Sequence, residues 1–108
     1  GEWCATFGCG KVKEGDVVKV SANGSADACG AGDSFCGVVR AIARDGKACS
    51  VQLGGIATVN YSGENAPVPG YGKLSADAAG GVSVDASKGR EYLILAADST
   101  AKTVTIKL

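Results

Sequence analysis

The sequence predicts an all-β protein: a small single-domain barrel or sandwich of seven to nine short, mainly antiparallel strands, with little helix. Glycine occurs 17 times in 108 residues, more than twice the average usage of about 7%, which indicates many tight turns. No window of about 11 residues repeats apolar residues at helical spacing without an intervening glycine, whereas several short runs alternate with a period of two. Regular short strands between glycine-rich turns are typical of small barrels and sandwiches.

The clearest strands lie between residues 37 and 63. An Asp45-Gly46 dipeptide separates two apolar runs there, and it favours a hairpin because a type I′ turn needs a positive φ at both central positions. After the turn, Cys49, Val51 and Leu53 alternate with other residues, as in a half-buried strand. A third apolar run follows two glycines at 54 and 55. We expect this stretch to form the centre of a sheet.

Strand signals flank this stretch on both sides. Before it, residues 17–20 predict a strand, and Asn23-Gly24 predicts a hairpin turn into a return strand at 25–29. After it, residues 73–84 contain two extended pieces around a glycine pair, and residues 91–98 and 102–108 form a predicted hairpin. Residues 63–72 contain both prolines. Because proline cannot donate to a central strand ladder, we expect a surface loop or edge strand there.

The first ten residues differ from the rest in aromatic content. They contain the only tryptophan, Trp3, together with Phe7 and two cysteines between glycines. We expect residues 1–10 to be an N-terminal arm outside the regular strands, and residues 11–108 to be a single β-barrel-like domain. The arm either packs under its own barrel or reaches a neighbouring subunit, and the sequence leaves both arrangements open.

Charge and cysteine usage exclude several classes of partner. Eleven basic and eleven acidic residues are interspersed along the chain, so there is no basic stripe for nucleic acid. No apolar run approaches the roughly 18 residues of a membrane span. Five cysteines accompany no histidine and form no C-x-x-C motif. We expect reduced, buried cysteines in a cytosolic protein; the alternative is a thiolate metal site that includes Cys4 and Cys9.

The motifs of catalysis and cofactor attachment are missing. No phosphate-loop sequence occurs, and no nucleophile has a neighbouring base. Lys47 follows a hairpin turn, like the cofactor-carrying lysine of biotinyl and lipoyl domains, but its spacing and neighbours differ from theirs. Asp77, Asp85, Glu91 and Asp98 could supply carboxylates, but each adjoins a turn, where aspartate commonly caps the backbone. We therefore expect no enzyme, no catalytic, metal or cofactor residues, and no small-molecule substrate.

The order of segments resembles a known family. The segments are E-G-D-V-V at 14–18, A-G-D at 31–33, D-G-K-A at 45–48, V-Q-L-G-G-I-A-T-V at 51–59, P-G-Y-G-K-L-S-A-D-A-A-G-G-V at 69–82 and T-V-T-I-K-L at 103–108. From Lys11 onward the chain is similar to the small capsid cement or head-decoration proteins of tailed bacteriophages and prophages. The resemblance implies a structural β-barrel-like protein on the virion capsid exterior, made in the bacterial cytoplasm. It also implies binding to the shell of major capsid protein, often as a homo-trimer, and no catalytic residues.

Two segments are the predicted contacts with the shell. The first is the N-terminal arm, with Trp3 and Phe7 as anchors, because aromatic side chains dominate the binding energy of interfaces. The second is the proline loop, with Pro67, Pro69 and Tyr71. The alternative to a capsid protein is a small SH3-like β-barrel that acts as a protein-binding module in a host complex.

Overall fold

The computed structural model describes residues 3–108, which form ten strands and no helix. This part of the chain accordingly contains no helix long and apolar enough to cross a membrane. The all-β prediction is confirmed, with ten strands in place of seven to nine. The strands are β1 Trp3–Cys9, β2 Val17–Ala22, β3 Ser25–Ala28, β4 Gly37–Ile42, β5 Ala48–Gly54, β6 Ile56–Asn60, β7 Gly70–Ala76, β8 Val82–Val84, β9 Arg90–Asp98 and β10 Thr103–Lys107.

The first five strands form a closed barrel in the order β1-β3-β2-β4-β5, in which β5 pairs back with β1. The segment that we expected to lie outside the regular strands is therefore a barrel strand from residue 3 onward. Ala5, Phe7 and Cys9, which alternate along the strand, are partly buried, as is the intervening Gly8. The adjacent Gly8 interrupts the apolar pattern and hides this alternation in the sequence.

The other five strands form a second sheet in the order β6-β10-β9-β7-β8. This sheet curls until its two edges approach, where Tyr61 and Val82 form a parallel bridge. The backbone N–H of Ser62 donates to the Val82 carbonyl oxygen at 2.9 Å. Because this contact is local, most of the outer edges of β6 and β8 have no strand neighbour among the described residues.

The predicted central hairpin is confirmed as β4 and β5, which are joined through Asp45-Gly46. The third predicted run, β6, belongs to the second sheet, so residues 37–63 are the junction of the two sheets and not the centre of one. The side chain of Gln52 links β5 to β6 at this junction. This side chain is fully buried, and its Nε2 donates to the carbonyl oxygens of Gly54 and Ile56, each at 3.0 Å.

Consecutive residues of the barrel strands divide between two cores. Val17 and Val38 join a cluster between the sheets, whereas Val18 and Val39 face a smaller cluster inside the barrel. Because successive side chains of a strand point to opposite faces, the first residues of β2 and β4 are covered on both sides. One face of these barrel strands therefore packs against the second sheet.

Cys9 and Cys49 are joined by a disulfide bond, with their Cα atoms 6.0 Å apart. The expectation of reduced cysteines is wrong for this pair. The physical reason is that β1 lies directly beside β5, which brings two distant segments together. Cys4, Cys29 and Cys36 are free thiols, and the disulfide removes Cys9 from the thiolate metal site considered above.

Candidate interaction surface

Four residues form a row across the outer face of the second sheet. Ile56 of β6 lies opposite Lys107 of β10, Lys107 lies opposite Leu93 of β9, and Leu93 lies opposite Tyr71 of β7. Residues that are directly opposite in antiparallel strands point to the same face. The outer row, meaning Ile56, Lys107, Leu93 and Tyr71, therefore spans three strand spacings, about 14 Å.

The outer row is apolar at both ends and open to solvent. Tyr71 is 73% exposed and Ile56 is 57% exposed, while Leu93 between them is half-buried. Single exposed apolar side chains are normal, but several in register on one face mark a contact surface. Lys107 lies between Ile56 and Leu93 and is the one charged residue of the outer row.

A groove of about 220 Å³ runs beside the outer row and is lined by Tyr71, Leu93 and Lys107 together with the terminal Leu108. On its β9 side, the guanidinium of Arg90 lies 5.5 Å from the centroid of the Tyr92 ring, within the range of a cation–π contact. The groove thus combines apolar side chains with charged groups of both signs, since Glu91 lines it together with Arg90 and Lys107.

The proline loop extends the surface at the Tyr71 end. Val68 is 71% exposed and Pro69 is exposed, whereas Pro67 is buried in its own domain. An apolar depression of about 200 Å³ lies under the loop and is lined in part by Pro67, Pro69 and Val84. Of the predicted loop contacts, Pro69 and Tyr71 are available to a partner, and Pro67 supports the loop from below.

Trp3 lies in β1 beside the turn that leads from β5 into β6. It pairs with Gly54, and its ring lies over that glycine: a methyl group on Gly54 would be 3.4 Å from Cβ and Cε3 of Trp3. Ile56 follows two residues later, and the N–H of Leu108 donates to the Gly55 carbonyl oxygen at 2.9 Å. Trp3, which is 67% exposed, therefore lies near the end of the outer row.

Phe7, the other predicted anchor, is half-buried and packs against the cluster inside the barrel. Phe7 therefore packs under its own barrel, which is one of the two arrangements that the sequence leaves open. The structure thus brings Trp3, Pro69 and Tyr71 to exposed positions and leaves Phe7 and Pro67 in packing roles. The surface also contains Ile56, Leu93 and Lys107, which the sequence analysis did not select.

The aspartates beside turns have the capping role that was expected. Asp85 accepts from the backbone N–H of Lys88 at 2.9 Å and from the Ser75 hydroxyl at 2.9 Å. These bonds stabilise the carboxylate and hold the pKa of Asp85 below its ordinary value. Asp77 accepts from the N–H groups of Ala79 and Gly81. Within residues 3–108, no group of His, Cys, Asp or Glu side chains is arranged to hold a metal ion.

One charged pair lies beside a buried thiol. Lys19 Nζ and Asp33 Oδ2 are 2.7 Å apart on the surface; their hydrogen bond raises the pKa of Lys19 and lowers that of Asp33. Cys29 is buried nearby, and desolvation raises the pKa of its thiol to about 11. The thiol is therefore neutral at pH 7, which makes it a packing residue and a poor nucleophile.

Comparison of the sequence with models of known protein families and with curated proteins found no match.

Proposed function

We propose that this chain is a structural protein that binds the outer surface of an assembled bacteriophage capsid shell and stabilises it. The observation that carries the proposal is the outer row, an apolar strip on one face of a compact β domain, with exposed Trp3 and Val68 near its two ends. The order of turn and strand segments, which resembles that of capsid cement proteins, supports the same function.

The stabilisation would follow from mass action. A ligand that binds the assembled shell, but not its dissociated subunits, stabilises the assembly by RT ln(1 + [L]/Kd), about 2.7 kcal/mol per site at a hundredfold excess over Kd. Many such sites on one shell oppose its rupture. The contact itself would bury Tyr71, Ile56 and Trp3, whose apolar surface contributes about 25 cal/mol per Å² removed from water.

Co-sedimentation with shells tests this proposal. The purified protein is mixed at micromolar concentration with expanded capsids of the phage or prophage whose genome encodes it, and the pellet is quantified. We expect the wild type to pellet with the shells and Tyr71→Ser to bind at least about tenfold more weakly. Val20→Ser is the matched control, because Val20 is 53% exposed but lies on β2 of the barrel. Failure of the wild type to co-sediment with its own shell would overturn the proposal.

The closed five-stranded barrel favours a second candidate, an SH3-like module that binds a protein of the host. Small barrels of this kind serve as binding domains for extended peptides. The neighbouring genes discriminate between the two candidates. A major capsid or portal gene beside the coding sequence favours the capsid protein, whereas a metabolic operon favours the host module.

A further inference from the structure

Strand β1 differs from the other nine strands in its burial. Each of β2 to β10 has at least one buried residue, whereas every residue of β1 is exposed or half-buried. Strands are held in proteins largely by the apolar surface that they bury, and segments with few buried contacts open most readily. By this measure, β1 is the most weakly packed strand of residues 3–108.

The same strand closes the barrel. It pairs with β5 at six register positions, from Trp3 opposite Gly54 to Gly8 opposite Ala48, with an irregularity after Trp3. On its other side it pairs with β3 only at Gly8 and Cys9. Loss of β1 would leave the open sheet β3-β2-β4-β5, whose edge strands β3 and β5 would each have an unpaired side.

The disulfide bond fastens this weakly packed strand. Cys9 is the last residue of β1, and Cys49 is the second residue of β5. At this end of β1, Cys9 packs against the cluster inside the barrel, and Phe7 lies opposite Cys49 of β5. At the other end of β1, Trp3 and Cys4 are exposed, so β1 is held by its ladder with β5, by the packing of Phe7 and by the covalent bond at Cys9.

We propose that the Cys9–Cys49 disulfide is a redox-controlled latch, and that its reduction allows β1 to detach while the rest of the fold remains. A dithiol reductant supplies the electrons. Its thiolate attacks one sulfur to form a mixed disulfide and releases the other sulfur as a thiolate. The second reductant thiol then displaces the protein. In total, two electrons and two protons pass to Cys9 and Cys49, and the reductant becomes a disulfide.

A reductant would approach the bond from Cys9. Cys9 is half-buried, whereas Cys49 is only 3% exposed and belongs to the cluster inside the barrel. Detachment would expose the backbone of β5 between residues 49 and 54.

Hydrogen exchange of the full chain, followed by mass spectrometry, tests the latch. The oxidised protein is compared with the same protein in dithiothreitol. We expect amide protection in peptides that cover residues 3–9 and 49–54 to fall at least about tenfold on reduction, and protection in β9 and β10 to stay unchanged. The double variant Cys9→Ser/Cys49→Ser should show the reduced pattern without a reductant. Cys4→Ser, the matched control, should keep the oxidised pattern.

Trp3 provides a second measurement, because it is the only tryptophan and lies in β1. Its steady-state fluorescence anisotropy should fall on reduction of the wild type and should not change on addition of dithiothreitol to the double variant. Two outcomes would overturn the latch. Unchanged protection of β1 after reduction shows that the strand needs no disulfide, and loss of protection throughout β9 and β10 shows that the bond supports the whole fold.

Discussion

The Tyr92 hydroxyl donates a 2.7 Å hydrogen bond to the Phe35 carbonyl oxygen, and the two rings stack with their centroids 4.7 Å apart. Phe35 precedes β4 of the barrel, and Tyr92 lies in β9 of the second sheet. Both side chains are buried. This pair therefore joins the two sheets through an apolar and a polar contact at one point.

Tyr92→Phe tests the polar part of this contact. The variant keeps the ring stack but removes the donor to the Phe35 carbonyl, so a buried acceptor loses its partner. We expect a loss of about 1 to 2 kcal/mol in the free energy of unfolding, measured by urea denaturation. Tyr71→Phe is the matched control and should change stability by less than about 0.5 kcal/mol, because Tyr71 is exposed. Equal losses in both variants would contradict a special role for Tyr92.

Local signals in the sequence were sufficient for much of the fold. Asp45-Gly46 and Asn23-Gly24 mark their hairpins within a few residues, because the turn needs the backbone freedom of glycine: Gly46 and Gly24 have φ of 71° and 70°. Asp45 and Asn23 do not have a positive φ, so the expectation of a type I′ turn is wrong, although the hairpins form. β1 could not be predicted in this way. Its pairing partner is about forty residues distant, and the disulfide between Cys9 and Cys49 depends on that pairing.

Most of the outer row could not be predicted from local sequence patterns; the exception is the orientation of one residue. The alternation of β10 predicts that Lys107 faces water. Which residues lie beside it depends on the register of three other strands. In β9 that register shifts by one residue, since Thr105 opposes Ala96 and Ile106 opposes Ile94, which leaves Leu95 without a direct partner. A bulge of this kind has no reliable signal in a single sequence.

Val51 and Trp3 should separate folding from binding. Val51 is fully buried inside the barrel, so Val51→Ala should cost about 2 kcal/mol through lost burial and a residual cavity. Trp3→Ser removes an exposed ring and should change stability by no more than about 0.5 kcal/mol, while it weakens binding to capsid shells. Thermal melts and co-sedimentation measure the two effects. Comparable losses of melting temperature in both variants would contradict this division.

The thiol of Cys29 should show a strongly shifted pH dependence. Desolvation raises its pKa to about 11, so the reactive thiolate is scarce at pH 8 and increases about tenfold per pH unit until the pH nears 11. We expect iodoacetamide to label exposed Cys4 at pH 8 while Cys29 stays unmodified, and the rate at Cys29 to rise from pH 8 to pH 10. Peptide mass spectrometry gives both rates. Rapid labelling of Cys29 at pH 8 would show that its thiol is neither desolvated nor shifted.

An added methyl group should destabilise the protein at Gly37 but not at Gly8. A Cβ on Gly37 would collide with the Gln52 carbonyl oxygen and with Val51 Cγ1, whereas the nearest atom to a Cβ on Gly8 is 3.6 Å away, an ordinary contact. The Gln52 backbone cannot yield, because it belongs to β5 and pairs with β4. We expect Gly37→Ala to cost at least about 2 kcal/mol and Gly8→Ala to be nearly neutral in urea denaturation. If Gly37→Ala unfolds like the wild type, β4 and β5 are not packed as closely as described.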